Sequence, residues 1–294
     1  MRRQRPLALL ARFGWIFKGL AAGGLGLLLA GCEGTVTADL ATDPPADTGI
    51  RSVQVNLLGL DFRMSDGTSN TLEFSSSEIV DLVDFQIRDS MRLFTNEDLP
   101  AGSYTGVRLL FDDDESENVV TDRDGDTPLV LADGAYAAVD FSVEDEQSST
   151  EKLSLMLDLR QSLSYDESKD RYTLTPALRS VSTDDAARIE GVVTVVCPLD
   201  PLLVPGEAVY LFEGTDVSPD DLDGAGVEPF ATTSVTRSAT TALVYALRFL
   251  PDGEYTLALT CNGYEDELGV DDALNFRNVT NVSIDRRDVV LRNF

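Results

Sequence analysis

Two acidic stretches hold side chains whose type and spacing suit a divalent cation. Residues 112–115 are four consecutive acids after a predicted strand, and residues 122–126 alternate Asp with Arg and Gly. Calcium takes about six to eight oxygen ligands, and a glycine permits the sharp turn of its loops. Counted from Asp122, however, Thr127 stands where the turn glycine of an EF-hand belongs, and the closing position falls on Asp133. The candidate ligands of a calcium cofactor are Asp112, Asp114, Asp122, Asp124 and Asp126, and the alternative is a solvated acidic loop.

The remaining acidic runs are weaker candidates, because the whole chain is acidic. It has 51 acids and 23 bases, with a formal charge of −28. Such a surface repels nucleic acid phosphates and anionic lipid headgroups, which excludes nucleic acid as a partner. A second candidate cation group is Asp220, Asp221 and Asp223, which precede Gly224. The runs at 144–146 and 271–272 are interpreted as solvated faces.

The absence of histidine limits the chemistry that the chain can perform. With no histidine in 294 residues, Ser-His-Asp and Cys-His catalysis and imidazole zinc sites are excluded. Paired carboxylates could still serve glycoside hydrolysis. Because acids are so numerous, the sequence does not single out such a pair.

The N-terminal segment has the features of an export signal. Its basic residues are Arg2, Arg3, Arg5, Arg12 and Lys18, and an apolar stretch follows over residues 20–30. It ends in Leu29-Ala30-Gly31-Cys32, which resembles a bacterial lipoprotein lipobox. The resemblance implies that Cys32 is lipidated on sulfur, becomes the first mature residue and anchors the chain to a membrane. Glu33, rather than Asp, follows the cysteine and favours the outer membrane; the alternative is an ordinary signal peptide with a chance cysteine.

The other two cysteines, Cys197 and Cys261, each lie at the end of a predicted strand. Two cysteines in one domain of an exported chain predict a disulfide. Free or redox-active thiols are the alternative, although no Cys-x-x-Cys spacing supports them.

The positions of these residues depend on a series of predicted short strands. Val53, Val55 and Leu57 alternate with polar residues, which is the period of a half-buried strand. Turn signals separate similar runs at 72–74, 106–111, 137–143, 153–159, 171–174, 189–196, 208–212, 243–249, 255–260, 281–284 and 289–291. Residues 77–85 fit a short helix or a strand. The pattern predicts an all-β chain with two antiparallel β-sandwich domains.

The composition divides the chain into four predicted segments. They are a signal peptide (1–31), a lipidated flexible tether (32–49), a first sandwich (50–184) and a second sandwich (187–294). The polar stretch 180–187 marks the boundary between the sandwiches.

A short motif occurs in both predicted domains. Residues 99–105 and 250–256 both read Leu-Pro-x-Gly-x-Tyr-Thr before an apolar strand. We expect a turn in which Gly takes a positive φ and Tyr packs inward, with its hydroxyl on a backbone partner. With residues 80–83 and Leu93, the first copy resembles a bacterial lipoprotein domain family of unassigned function (DUF4382-like). The second domain resembles prealbumin-like and carboxypeptidase-regulatory-like sandwiches, which often bind carbohydrate or protein.

The sequence therefore predicts a non-catalytic outer-membrane lipoprotein with a binding or structural role in the cell envelope. Its ligand would be a glycan, an envelope protein or calcium. One alternative is a purely structural spacer, and another is an acid-dependent glycoside hydrolase. An exposed apolar patch on a strand face would favour binding over the spacer.

Overall fold

Alternating apolar and polar side chains fold more than half of the described chain into strands. The computed structural model describes residues 34–86, 89–112, 117–144, 149–195, 197 and 206–294. All of them belong to one compact unit, Gly31–Phe294. The lipobox with Cys32, and the candidate ligand Asp114, lie outside the described residues. Within the described ranges, no helix is long and apolar enough to cross a membrane.

The first half of the described chain forms a two-sheet sandwich. Its strands are β1 (Gly34–Asp43), β2 (Ser52–Met64), β3 (Ser69–Asp81), β4 (Met91–Leu99), β5 (Gly102–Phe111), β6 (Val119–Thr121), β7 (Asp126–Leu131), β8 (Ala137–Val143), β9 (Thr150–Asp158), β10 (Leu163–Asp166), β11 (Arg171–Leu174) and β12 (Leu178–Ser182). One sheet has the order β12-β9-β1-β4. The other has the order β10-β11-β7-β6-β2-β5-β8, with β3 paired to β2. A 3-10 turn, Leu82–Phe85, follows β3, so residues 77–85 are part strand and part helix.

The second half forms another two-sheet sandwich. Its strands are β13 (Ala187–Val193), β14 (Ala208–Glu213), β15 (Ala231–Ser234), β16 (Thr236–Arg237), β17 (Leu243–Leu250), β18 (Gly253–Thr260), β19 (Phe276–Ile284) and β20 (Val289–Leu291). The sheets have the orders β16-β17-β13-β20 and β15-β14-β18-β19. A second 3-10 turn is Gly263–Glu265. Each sandwich has its own buried apolar core, as expected when each sheet covers the apolar face of the other.

The all-β prediction is confirmed, and most strand pairs are antiparallel. Among the described strands, three pairs are parallel instead: β1 with β9, β7 with β11, and β13 with β20. The exact domain boundaries at 184 and 187 stay a prediction.

The predicted flexible tether over residues 32–49 is wrong for residues 34–43, which form β1 in the interior of a sheet. Val36, Ala38 and Leu40 are fully buried and alternate with Thr and Asp side chains. This alternation is the period of a strand. Its small and polar residues made the segment look like a linker, although its backbone pairs with β4 on one side and β9 on the other.

Both copies of the repeated motif form the predicted corner. The hydroxyl of Tyr104 donates to the carbonyl of Pro100 at 2.7 Å, and that of Tyr255 donates to the carbonyl of Pro251 at 3.1 Å. Both rings are buried. The expected positive φ is confirmed for Gly102, at 151°, and is wrong for the glycine of the second copy, Gly253.

Candidate functional site

The loop at residues 122–126 uses its first carboxylate to stabilise its own turn. Oδ1 of Asp122 accepts hydrogen bonds from the N–H groups of Asp124 at 2.7 Å and Gly125 at 3.1 Å. Asp126 accepts from the hydroxyl of Thr121 at 2.7 Å. The loop is therefore ordered by protein groups, and the calcium site stays a prediction.

Asp112 belongs to a different local arrangement. Its N–H donates to the carbonyl of Asn56, and its carboxylate accepts from the amide of Asn56 at 3.4 Å. Among the described residues, the groups of three or more carboxylates close enough to share one ion do not include Asp112 or the 122–126 loop.

The structure gathers carboxylates at a second place, beside β14 and β18. Ligand oxygens lie within 4.8 Å of one another in two groups: Asp221, Asp223 and Asp271, and Asp221, Asp266 and Asp272. These groups include Asp221 and Asp223 of the weaker candidate from the sequence and both residues of the run at 271–272. The interpretation of that run as a solvated face is wrong for Asp272, which is half-buried and accepts from the N–H of Glu267 at 2.7 Å. The N–H of Asp272 in turn donates to the buried carboxylate of Asp221.

The two loops that carry these acids cover the outer face of β14. Tyr210 and Phe212 of β14 are fully buried there, against Val217, Leu274 and Phe276. The hydroxyl of Tyr210 donates to Asp266. Burial raises the pKa of both groups. The acidic loops therefore stabilise the second sandwich as well as offering oxygen atoms.

Arg160, from the loop after β9, reaches from the first sandwich into the second. Its Nη1 donates to the carbonyl of Gly263 and lies 4.0 Å from the carboxylate of Asp266, and its Nη2 donates to the hydroxyl of Ser234 at 2.9 Å. The side chain is almost fully buried. Arg160 therefore joins the sandwiches through several hydrogen bonds.

A second buried network lies where β1 and β9 end. Nη2 of Arg179 lies 3.0 Å from Asp43, and its Nη1 lies 4.0 Å from Asp158. Asp158 also accepts from the N–H and the hydroxyl of Thr232, both at 2.9 Å. Burial raises the pKa of Asp43 to about 7, although Arg179 acts in the opposite direction.

Arg248 of β17 extends from the second sandwich to the first, opposite to Arg160. Its guanidinium donates to the carbonyls of Phe85 at 3.0 Å and Asp89 at 3.1 Å, both in the first sandwich. Burial lowers its pKa. The sandwiches are thus held together by buried arginines from both sides, and removing one partner of such a buried pair costs about 3–5 kcal/mol.

The predicted disulfide is confirmed between Cys197, which follows β13, and Cys261, which follows β18. Their Cα atoms are 5.5 Å apart across 64 residues of sequence. The bond joins the two sheets of the second sandwich.

A groove of about 1200 Å³ runs along the sheet β16-β17-β13-β20. The outward face of this sheet exposes Val192 by 37%, Val289 by 48% and Leu291 by 71%. Ser90 and Ser154 of the first sandwich also line the groove. Apolar side chains on an outward strand face are typical of an interaction surface.

The groove is also basic relative to the rest of the chain. Its charged lining residues are Arg188, Arg237, Arg248, Arg287, Glu190 and Asp288. Glu190 is paired with Arg188 at 3.2 Å. Among the described residues, the exposed side chain of Arg237 has no ion-pair partner. Four arginines against two acids make this lining stand out on a chain with a charge of −28.

Sequence patterning predicted only part of the lining of this groove. The run 289–291 was predicted as a strand, and its alternation puts Val289 and Leu291 on one face. Whether another element covers that face depends on the tertiary arrangement. The patterning of one strand does not contain that information.

Comparisons with solved structures give distant likenesses. The Bacillus anthracis TIE protein is 8% identical, with a TM-score of 0.21; the match covers 89% of this chain and 34% of that one, so the chain spans about a third of its length. A candidate adhesin from Bacteroides ovatus is 10% identical, with 89% of each chain covered and a TM-score of 0.22. A candidate cell adhesion protein from Bacteroides fragilis is 11% identical, with 88% and 92% covered and a TM-score of 0.22.

In sequence, no curated protein matches the chain. Residues 33–176 match the family described as Domain of unknown function (DUF4382). The match starts at the residue before β1 and ends just after β11, so β1 belongs to the domain. The first sandwich is therefore similar to this family from β1 to β11, and the resemblance predicted from the residues around the first corner motif is confirmed.

Proposed function

We propose that the chain is a non-catalytic lipoprotein of the bacterial outer membrane, anchored through Cys32, that binds a glycan or protein of the envelope. The observation that carries the binding role is the exposed apolar face formed by Val192, Val289 and Leu291. A spacer that binds nothing has no need of such a face. If the protein were only a spacer, charged side chains at these exposed positions would make it more soluble than apolar ones do.

The anchor rests on the lipobox sequence. Only Glu33 separates Cys32 from the start of β1, a reach of about 7 Å for an extended chain. A lipid on Cys32 would therefore hold the first sandwich against the membrane. The 10 residues of β1 then lead about 30 Å away, to Asp43 at the junction.

The buried junction supports a presenting role for the first sandwich. Because Arg160, Arg179 and Arg248 interlock the sandwiches, the second sandwich is held as part of one unit. Its groove is then displayed at a fixed distance from the anchor.

The glycoside hydrolase alternative lacks an accessible pair of carboxylates at the junction. Asp43 and Asp158 are close to one cation and the pKa of Asp43 is raised, but their exposures are 2% and 1%. Arg179 and Thr232 occupy these carboxylates. A sugar ring could not reach them, so we assign them to the junction.

The anchor is tested by labelling full-length chain with radioactive palmitate in a Gram-negative host. We expect label in the wild type, none in Cys32→Ala, and wild-type protein in the outer-membrane fraction. Unlabelled wild-type protein would overturn the anchor.

The binding role is tested with a photo-crosslinking amino acid at Val192. Val279, exposed by 47% on β19 of the opposite sheet, is the matched control. We expect adducts in cells from position 192 and few from position 279. Equal or absent adducts at both positions would favour the spacer.

A further inference from the structure

The strand at the end of the groove has an unpaired edge. In the parallel pair of β13 with β20, the N–H of Arg188 donates to the carbonyl of Asp288, and the N–H of Arg292 donates to the carbonyl of Glu190. Because backbone groups alternate along a strand, the N–H and C=O of Val289 and Leu291 point away from β13. Within the described chain, no strand pairs with that edge of β20.

Edge strands in soluble proteins are usually protected by charge, burial or a covering element. The side chains of Val289 and Leu291 give this edge no such protection, because both are apolar and exposed. Leu291 is the most exposed large apolar residue of the described chain. Its neighbour across the pair is Glu190, and that of Val289 is Arg188. An added strand would find backbone groups at the edge and an apolar surface beside it.

Four arginines lie around this edge, and two of them, Arg287 and Arg292, form no ion pair with a described residue. The segment 286–292 reads Arg-Arg-Asp-Val-Val-Leu-Arg, and Arg188 lies beside it on β13. Arg286 is 65% exposed and is shared between Asp185 and Asp252, each at 3.5 Å. Within the described chain, Nε of Arg292 is buried with no hydrogen-bond partner. Few short segments of so acidic a chain carry this density of cations.

We propose that β20 is the docking edge for an extended, acidic segment of a partner protein, which adds to the sheet as a further strand. This inference rests on the binding role proposed above and names the class of partner. Main-chain hydrogen bonds to Val289 and Leu291 would supply affinity, and alternating apolar and acidic side chains would supply specificity. A second copy of this chain is disfavoured because pairing through the same edge would place the arginines of segment 286–292 against each other.

The test uses residues 33–294, which lie within the compact unit, and two fluorescent peptides of about 12 residues. In one peptide Val alternates with Glu, and in the other Lys replaces every Glu. Fluorescence anisotropy at low salt should show saturable binding of the Glu peptide and binding about tenfold weaker, or none, for the Lys peptide. Added salt should weaken the binding.

Three variants assign the site. Leu291→Pro removes an outward N–H and the apolar side chain, while the hydrogen bonds of β20 to β13 use other residues. Arg287→Glu reverses a charge near the edge, and Arg51→Glu makes the same change at an exposed site of the first sandwich. We expect about tenfold weaker binding from the first two and wild-type binding from the third.

Amide NMR of the wild type keeps the test decisive if Leu291→Pro does not fold. Shifts induced by the Glu peptide should concentrate at residues 287–292. The proposal is overturned by shifts elsewhere, by equal binding of both peptides, by no saturation, or by dimers that form through the same edge. If adducts at Val192 persist when the peptide fails, the face binds another class of partner and only this inference is lost.

Discussion

The carboxylate of Asp43, the last residue of β1, lies 3.0 Å from the guanidinium of Arg179 on β12. Asp43 is buried, and burial raises its pKa to about 7, from 3.8. Between about pH 4 and pH 7, the folded chain therefore holds a proton that the unfolded chain releases. For this group, the free energy of unfolding falls as pH rises through that window, and is constant above it.

The first prediction follows from that sign. Asp43→Asn should remove a slope of up to about 1.4 kcal/mol per pH unit between pH 4 and pH 7. The measurement is urea denaturation at several pH values, with Asp98→Asn, an exposed acid on β4, as the control. Identical pH profiles for wild type and Asp43→Asn would contradict the assignment.

A second prediction concerns the disulfide. Because Cys197 and Cys261 are 64 residues apart, their bond restricts a long loop in the unfolded chain. Reduction should lower the free energy of unfolding by about 4 kcal/mol in the chain-entropy description. Guanidinium denaturation with and without reductant measures it. Because the bond lies in the second sandwich, amide exchange there should increase most, and a uniform increase would argue against this localisation.

The two corner motifs offer a matched comparison of glycines. Gly102 has a φ of 151°, and a Cβ there would lie 2.1 Å from the methyl carbon of Met64. That methyl group can move, whereas the backbone cannot relax without disturbing the corner. Gly102→Ala should therefore destabilise the chain by about 1–2 kcal/mol.

Gly253→Ala is the control for that substitution. Gly253 has no left-handed φ, and a Cβ there would lie 3.0 Å from the ring of Tyr255. Thermal melting should rank Gly102→Ala below Gly253→Ala. The reverse order would show that ring contact, rather than backbone conformation, dominates at these corners.

The sequence-based calcium site gives a fourth prediction. Calorimetry of residues 33–294 should show calcium binding that is lost when Asp122, Asp124 and Asp126 are changed to Asn. The comparison variant changes Asp221 and Asp223 to Asn. Binding lost only in the comparison variant would exclude the 122–126 loop. No heat in the wild type would leave both groups as structural carboxylates.

Sequence patterning located several elements well. The strands at Ala137–Val143, Arg171–Leu174 and Val289–Leu291 have the bounds that their alternation predicted. Period-two alternation between turn signals specifies a half-buried strand locally, and no distant contact is needed to recognise it. The cysteine pair was predictable for a similar reason, since export context limits its chemistry.

The junction and the groove could not be predicted in this way. Arg160, Arg179 and Arg248 look like surface arginines in a sequence, because their burial depends on how one sandwich meets the other. Likewise, an apolar outward residue such as Leu291 becomes informative only when no other element covers it. Both features arise from the assembly of elements whose local patterns are ordinary.

The position of β1 also has a mechanical consequence. The first residue of β1, Gly34, is two positions from the predicted lipid anchor. The strand β1 then pairs with β9 in parallel register over nine residues, from Thr35 to Asp43. A pull on the N-terminus against a load on the second sandwich would run along β1, so its hydrogen bonds to β9 and β4 would be strained together rather than one after another. Shear of this kind resists tension far better than peeling from a sheet edge. With this arrangement, a protein at a cell surface exposed to flow would stay anchored to the membrane and folded while under tension.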